Sequence, residues 1–412
     1  MSKTLQHEKL IAYSIMLVFL VLTIVLPFTL TRDTSGYILI ESDKDFKKYK
    51  LPGNGSSENP YIIENVNVVD SMKRGISIEN TTKHFIIQNC YLDGNFFNGI
   101  RIANIAEGTA KIFNNTCVSH SIEGIIVLSS DSTEISNNTC YNNKIGIGLY
   151  DSNNSTIKHN YVYRYLLADD REGHSDRGIV VSNSKYVSIT GNRIKKTSGG
   201  MEIEFSENCF VSNNIVQTSY QFSIGLVNSF NCQIVNSEFK SSIRIGVSLF
   251  DSNENSIQDC LIKNSERGIR LYNATNNIIE SNQLEINFQG ISLYSESNSN
   301  LIIYNVFSNS SNEGIEIDDG SFNKIHHNSF YENNKGEISQ ASDNGYDNRW
   351  YDDVSSEGNF WYGWNASFPY EILGNANSTD PFPLNDPATL PSLFPKNSIR
   401  ILILYWKRNN MK

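Results

Sequence analysis

The sequence predicts an all-β fold: a parallel β-helix, or solenoid, of about 11–12 coils, preceded by one N-terminal transmembrane or signal helix. Three observations carry this. A repeat of about 22 residues runs through the chain, seen where GIRLY at Gly268 returns as GISLY at Gly290. Aliphatic residues alternate with period two at the start of each repeat. An Asn follows at a fixed distance beyond them.

The first element is the N-terminal helix. An uncharged run extends from Leu10 to Leu30, preceded by Lys3 and Lys9. At about 1.5 Å per residue it spans a hydrocarbon core of about 30 Å. The positive flank predicts a cytoplasmic N-terminus and an exported body. The shorter apolar core and small-residue cleavage site of a secretory signal are not evident, which favours a retained anchor. The expected location is membrane-anchored with the body outside the cytoplasm, or secreted if the leader is cleaved. Sequons such as Asn80-Thr81-Thr82 suit an exported surface.

Composition bounds the body. Apolar residues make up 39% and charged residues 19% of 412, low for a globular chain, yet 21 Phe and 21 Tyr can bury a core. The net charge of −10 comes with no basic stripe, which excludes nucleic acid as a partner.

The coils come next. Repeats open at Gly75, Gly99, Gly124, Gly146, Gly178, Gly200, Ser223, Gly246, Gly268, Gly290, Gly314 and Gly336. The second position is aliphatic (Ile100, Ile125, Ile147, Ile269, Ile291), and so is the fourth (Ile102, Val127, Leu149, Leu271, Leu293). This is a strand with one buried face, too short to be stable alone. Stacked in parallel at about 4.8 Å, such strands bury continuous ladders. Further on, an apolar residue sits three before an Asn, as in Ile112–Asn115, Ile279–Asn282 and Ile302–Asn305. Asn tolerates the left-handed backbone of a tight corner, and its amide can bond to the Asn one coil away. Each coil therefore reads as strand, corner, strand and turn. The expected organisation is a leader at 1–33, a lead-in and cap at 34–74, repeats at 75–345, a Trp-rich cap at 346–390 and a tail at 391–412. Trp350, Trp361 and Trp364 are expected to help cover the last coil.

The lead-in GNGSSENPYIIENV (Gly53–Val66), the array and the tail DNRW…EGNFWYGW…TDPFPL (Asp347–Leu384) carry a resemblance. The chain resembles the right-handed parallel β-helix superfamily. More narrowly, it is similar to the NosD-like and carbohydrate-binding/sugar-hydrolase (CASH-type) β-helix proteins over roughly 52–384. The resemblance implies a right-handed, single-stranded parallel β-helix. It leaves activity open, because the superfamily holds lyases, hydrolases, adhesins and non-enzymes.

Candidate chemistry lies on the outer face and in one insertion. The interval from Gly146 to Gly178 is 32 residues and carries YRYLLADDREGHSDR. Asp169, Asp170, His174 and Asp176 could bind a metal or act as acid and base there, while a solvated charged loop is the plainer reading. Their order resembles the polygalacturonase constellation, but that family places the Asp pair and the His on separate coils. Phe250, Tyr272 and Tyr294 take the fifth strand position on three consecutive coils, with Arg270 beside them. An outward row of rings there would be a platform for sugar rings, or a ladder that only supports the sheet. The NosD resemblance implies copper. His326-His327 is the sole His pair, and adjacent strand residues point to opposite faces, so no metal or cofactor is expected. Six cysteines follow the repeat spacing and read as stacked buried thiols. The function expected is a surface scaffold that binds a polysaccharide or a cell-surface partner. The alternatives are a polysaccharide lyase or hydrolase, and a NosD-like copper-associated accessory protein.

Overall fold

The computed structural model describes residues 37–69, 75–94, 97–164 and 176–388. The Leu10–Leu30 run, Asp169, Asp170, His174 and the tail beyond 388 lie outside the described residues. The chain is an all-β parallel solenoid of the right-handed type with about 12 coils. Among the described residues no helix is long and apolar enough to cross a membrane.

The chain divides into two compact units, residues 1–209 and 210–412. In the first, seven strands from Ile38–Ile40 to Gly199–Glu204 form one parallel sheet. Six strands from Tyr61–Glu64 to Ser188–Thr190 form a second, and six from Asn67–Val69 to Arg193–Lys195 form a third. The second unit repeats the plan: first-sheet strands from Phe222–Val227 to Ala341–Asp343, second-sheet strands from Phe210–Ser212 to Lys324–His326, and third-sheet strands from Ile215–Gln217 to Phe360–Trp361. A coil thus holds three strands, not the two expected. Most third strands are three residues long and bury only the middle side chain, which leaves no alternation to read.

The aliphatic ladders stack in register. Ile269 pairs with Ile291 and Leu271 with Leu293, all fully buried. Burying each such side chain is worth about 1.5–3 kcal/mol against the entropy of ordering the strand. The opening Gly is set by packing: a Cβ on Gly99 would lie 2.6 Å from the Gly124 carbonyl oxygen. The expected repeat at Gly336 is displaced. Ile315 pairs with Ala341, and Gly336 sits instead in a turn at φ +99.

The Asn ladder exists, but its left-handed residue is the one before it. Asn114, Asn137 and His159 have φ of +54, +55 and +56, while Asn115, Asn138 and Asn160 point inward. Asn115 N–H donates to Asn138 Oδ1 at 2.9 Å, and Asn138 N–H to Asn160 Oδ1 at 2.9 Å. In the second unit the chain of amides runs Asn282, Asn305, Asn328, Asn359 and ends on Asp380 Oδ2 at 2.7 Å. A second ladder at another corner, Asn255–Asn277–Asn300–Asn323, follows the same rule.

Aromatic rings close the second unit. Phe307, Phe330, Trp361 and Tyr370 stack at centroid spacings of 4.8, 4.2 and 3.9 Å. Trp350 and Trp361 are buried, whereas Trp364 is 43% exposed. In the first unit Phe46, on the 3-10 turn Asp45–Tyr49, stacks on Tyr61 at 4.5 Å. All six cysteines are buried. Cys117 and Cys140 are register neighbours in the third sheet, and Cys90 and Cys260 stand in the Asn column.

Candidate functional site

The outer face of the first sheet collects the polar chemistry in each unit. In the second unit Phe250 stacks on Tyr272 with centroids 5.0 Å apart and planes 7° from parallel. The row does not continue to Tyr294. That ring folds back over the sheet, where its hydroxyl donates to Glu316 Oε2 at 2.6 Å and accepts from Arg267 Nε at 3.4 Å. Arg267 also lies over the Tyr294 ring, 5.6 Å from its centroid. Gln289 Nε2 donates to the same Glu316 oxygen at 2.6 Å.

Arg270 sits between the stacked pair and this network. Its guanidinium donates to Ser248 Oγ at 3.1 Å, but its Nε is buried without a hydrogen-bond partner. Burial and the neighbouring Arg267 push its pKa down. A half-buried guanidinium with a spare donor, beside a second cation and an aromatic pair, can accept a carboxylate lying on a ring face. The structure therefore brings together Phe250, Arg270 and Tyr272 and turns Tyr294 to another task.

The first unit holds a cluster that sequence reasoning missed. Glu123 is 5% exposed on the first-sheet strand Glu123–Leu128. Asn98 Nδ2 donates to its Oε2 at 2.5 Å, and the Tyr150 hydroxyl donates to its Oε1 at 3.4 Å. Burial raises the Glu123 pKa, against the smaller lowering from Asn98, Tyr150 and Lys144. Burial also raises Tyr150, with Glu123, Glu204 and Glu202 adding to it. Tyr150 reaches back because Gly148 leaves room: a Cβ there would lie 2.6 Å from the ring. Arg177 Nε donates to Glu202 Oε2 at 2.6 Å one coil on. The readable signal was the polar residue just before the Gly in EGIIV, DRGIV and RGIRL.

Of the insertion candidates, Asp176 alone is described. It is buried and pairs with Arg164, so the two residues clasp the base of the 165–175 segment. They line a cleft of about 330 Å³ with Ser119, His120, Asn142 and Lys144. His120 Nε2 lies 3.1 Å from the Leu92 carbonyl, and burial lowers its pKa.

The described His pair also departs from expectation. His326 and His327 do not face opposite sides. Their Nδ1 atoms are 2.7 Å apart, because His327 is not in the strand but at the left-handed corner, φ +59. Among the described residues no group of three or more His, Cys, Asp or Glu converges as a metal site.

These features define a parallel β-solenoid repeat protein with polar outer faces. A sequence family described as periplasmic copper-binding protein (NosD) matches residues 33–165 and 163–316, more than half of the chain. The chain belongs to that family. Among curated proteins none matches it. Among solved structures it is similar to DFA-IIIase from Arthrobacter chlorophenolicus A6 in complex with GF2, at TM-score 0.48 and 12% identity over 64% of this chain and 81% of that one. The periplasmic alginate epimerase AlgG gives TM-score 0.43 and 13% identity over 76% and 78%. Alginate lyase AlyF-OU02 with G6 gives 0.43 and 13% over 74% and 73%.

Proposed function

We propose that the protein is an extracytoplasmic binding scaffold whose second unit takes an acidic carbohydrate on the outer face of its first sheet. The observation that carries this reading is the unpartnered, buried Nε of Arg270 next to the stacked Phe250–Tyr272 pair. The rings offer an apolar platform to a sugar face, and Arg270 offers a charge-assisted bond to its carboxylate. A neutral glycan can offer that guanidinium only uncharged acceptors, and the stronger charge-assisted bond to a carboxylate gives the face its selectivity. The family's periplasmic description supports the location, and the Leu10–Leu30 run supplies the anchor.

Titration calorimetry with a uronate oligosaccharide and its neutral counterpart tests the reading. Binding should favour the uronate, and the F250A/Y272A and R270Q variants should each weaken it at least tenfold. Equal affinity for both ligands, or unchanged affinity in both variants, would overturn it. Recovery of the chain in the membrane fraction after an alkaline wash tests the anchor, and release into the supernatant would refute it.

A second reading, catalysis on a polysaccharide, draws on one feature of the first unit. Glu123 is a buried carboxyl of raised pKa, hydrogen-bonded to Tyr150. Burial that raises a carboxyl's pKa makes it keep its proton to higher pH, the direction a general acid requires. Release of new reducing ends or of unsaturated product from uronate polymers, lost in E123Q, would establish it. Their absence across a polymer panel would remove it.

The family description also names copper; among the described residues no group of three or more His, Cys, Asp or Glu converges to hold it.

A further inference from the structure

Phe250, Tyr272 and Tyr294 are register neighbours on three successive strands. Such neighbours stand about 4.8 Å apart, so three outward rings would stack in one column. Phe250 and Tyr272 do so, at 5.0 Å. Tyr294 does not join them, and among the described residues no other ring takes its place. Phe250 covers one face of Tyr272; the opposite face is left open, and Tyr272 is 38% exposed.

Local chemistry decides which rings stay in the column. Tyr294 can fold back because Ser292, two residues before it, is small, and Ser292 is fully buried although it points outward. The Tyr294 hydroxyl then reaches Glu316 Oε2 at 2.6 Å, an oxygen that Gln289 Nε2 also holds at 2.6 Å. Arg267 donates to the hydroxyl from Nε at 3.4 Å and lies over the ring. Tyr272 has the bulky Arg270 two residues before it, and Phe250 has no hydroxyl to bond. The first unit follows the same rule by itself: Tyr150 folds back over Gly148 and bonds to Glu123. A tyrosine at the fifth strand position thus leaves the column where the third residue is small and an acid is within reach.

We propose that Glu316 latches Tyr294 off the aromatic stack, and that one uronate ring of the bound carbohydrate fills the third place so left open. The sugar lies with its face on Tyr272 and its carboxylate toward Arg270. The identity of the occupant rests on the carbohydrate reading above; the folding back of Tyr294 does not. A pyranose face presents C–H bonds to the aromatic face, and so continues the stack as a third ring would. Arg270, with its buried unpartnered Nε, lies close to both Tyr272 and Tyr294. Tyr294 and Glu316 are positioning residues. The tyrosine ring and the sugar are alternatives, because a ring returned to the column would exclude the sugar. The charge-assisted bond to Glu316 outweighs a ring stack, which keeps the place open.

The full chain and its Y294F, Y294A, E316A and E316A/Y294A variants are titrated with a uronate oligosaccharide by calorimetry. Y294F and E316A keep the ring but cut its bond to the acid. The ring should return to Tyr272, and uronate binding should weaken about fivefold in each, the cost of displacing one stacked ring. Y294A has no ring to return, so it should bind about fivefold more tightly than Y294F, and E316A/Y294A should likewise bind more tightly than E316A. A merely structural role predicts the reverse order, with Y294A the more damaging change. A crystal structure of unliganded Y294F reads the latch without any sugar: the ring at position 294 should lie against Tyr272, at about the 5.0 Å seen between Phe250 and Tyr272. A ring still folded over Ser292, or Y294A binding no better than Y294F, would overturn the latch. If the ring returns in Y294F but R270Q and F250A/Y272A bind uronate as the wild type does, the carbohydrate reading fails, and the assignment of the occupant fails with it.

Discussion

Asn305 sits in the interior of the second unit's ladder, and its loss should be costly in a calculable way. Its Nδ2 donates to the Ile279 carbonyl at 2.8 Å, to the Ile303 carbonyl at 3.0 Å and to Asn328 Oδ1 at 3.0 Å. Its Oδ1 accepts from Asn282 N–H at 2.9 Å and from Asn282 Nδ2 at 3.0 Å. Truncation to Ala leaves the Asn282 amide buried with no acceptor, at about 1–3 kcal/mol, and forfeits donated bonds worth about 0.5–1.5 kcal/mol net. Asn282 Nδ2 keeps the Ile257 carbonyl at 2.8 Å and adds little. N305A should therefore lose about 2–4 kcal/mol. Serine offers an internal control, because Ser237 already stands in this column. Its Oγ accepts from Asn214 N–H at 3.2 Å and donates to the Val235 carbonyl at 3.0 Å. N305S should lose about half as much as N305A, since it restores an acceptor but not the full amide. Urea unfolding, followed by far-ultraviolet circular dichroism and tryptophan fluorescence, reads both, with exposed Lys335→Ala expected within about 0.5 kcal/mol of wild type. If N305A fell within that same margin, the ladder would be an ornament of the corner and the argument from buried amides would fail.

Three other outcomes follow from the same structure. Gly99→Ala drives a Cβ into the Gly124 carbonyl, and should lower stability by about 1–3 kcal/mol in urea unfolding. Glu123 has a raised folded-state pKa, so its carboxyl favours the folded state most below the ordinary Glu value of about 4.3, and that advantage is lost as pH rises through the higher folded value. Measured against E123Q, wild-type stability should fall as pH rises above the ordinary Glu value of about 4.3; a difference that is constant or rises would contradict the burial of a protonatable acid. The six buried thiols should be silent to a thiol reagent in native buffer and react together in denaturant, so native reactivity or fewer than six thiols would show exposure or a bridge.

The interior was more legible than the surface, and the reason is geometric. Ile269 and Ile291 are recognisable because alternation repeats at each coil and one face is wholly buried. The third strand was hidden because each contributes one inward side chain, two residues past the ladder Asn: Cys117, Cys140, Val162, Ile194, Phe307 and Phe330. That spacing was in the sequence, but its residue types range from Cys to Phe, and only volume at the core centre unites them. The left-handed corner was misplaced by one residue because Asn fills both sites in several coils, as in Asn114-Asn115 and Asn137-Asn138; coils such as those of His159, Ser281, Tyr304 and His327 separate the two columns. Position set the outward direction of Phe250, Tyr272 and Tyr294, but hydrogen bonds to Glu316 and Arg267 set where Tyr294 lies, and these partners come from different coils. Glu123 escaped because a charged residue beside Gly reads as surface until the Tyr150 ring, one coil later, is seen to reach it.

A solenoid separates what must repeat from what is free to vary. Inward positions answer to a neighbour one coil away on either side, so a change in one is felt twice. Outward positions also meet neighbours on other coils, as Phe250 meets Tyr272, but they need not fill a shared core, so specificity can be written there. The corner is the place where both constraints meet. Its left-handed residue must suit an unusual backbone, yet its side chain is held beside the residue before it instead of across the sheet. Asn meets that demand at Asn89, Asn114, Asn137, Asn213 and Asn236, and its amide also bonds to the Asn one coil away, as Asn114 Nδ2 does to Asn89 Oδ1. Where His327 meets it, the preceding His326 is brought within hydrogen-bond range, so the turn joins two side chains that a strand would have sent to opposite faces.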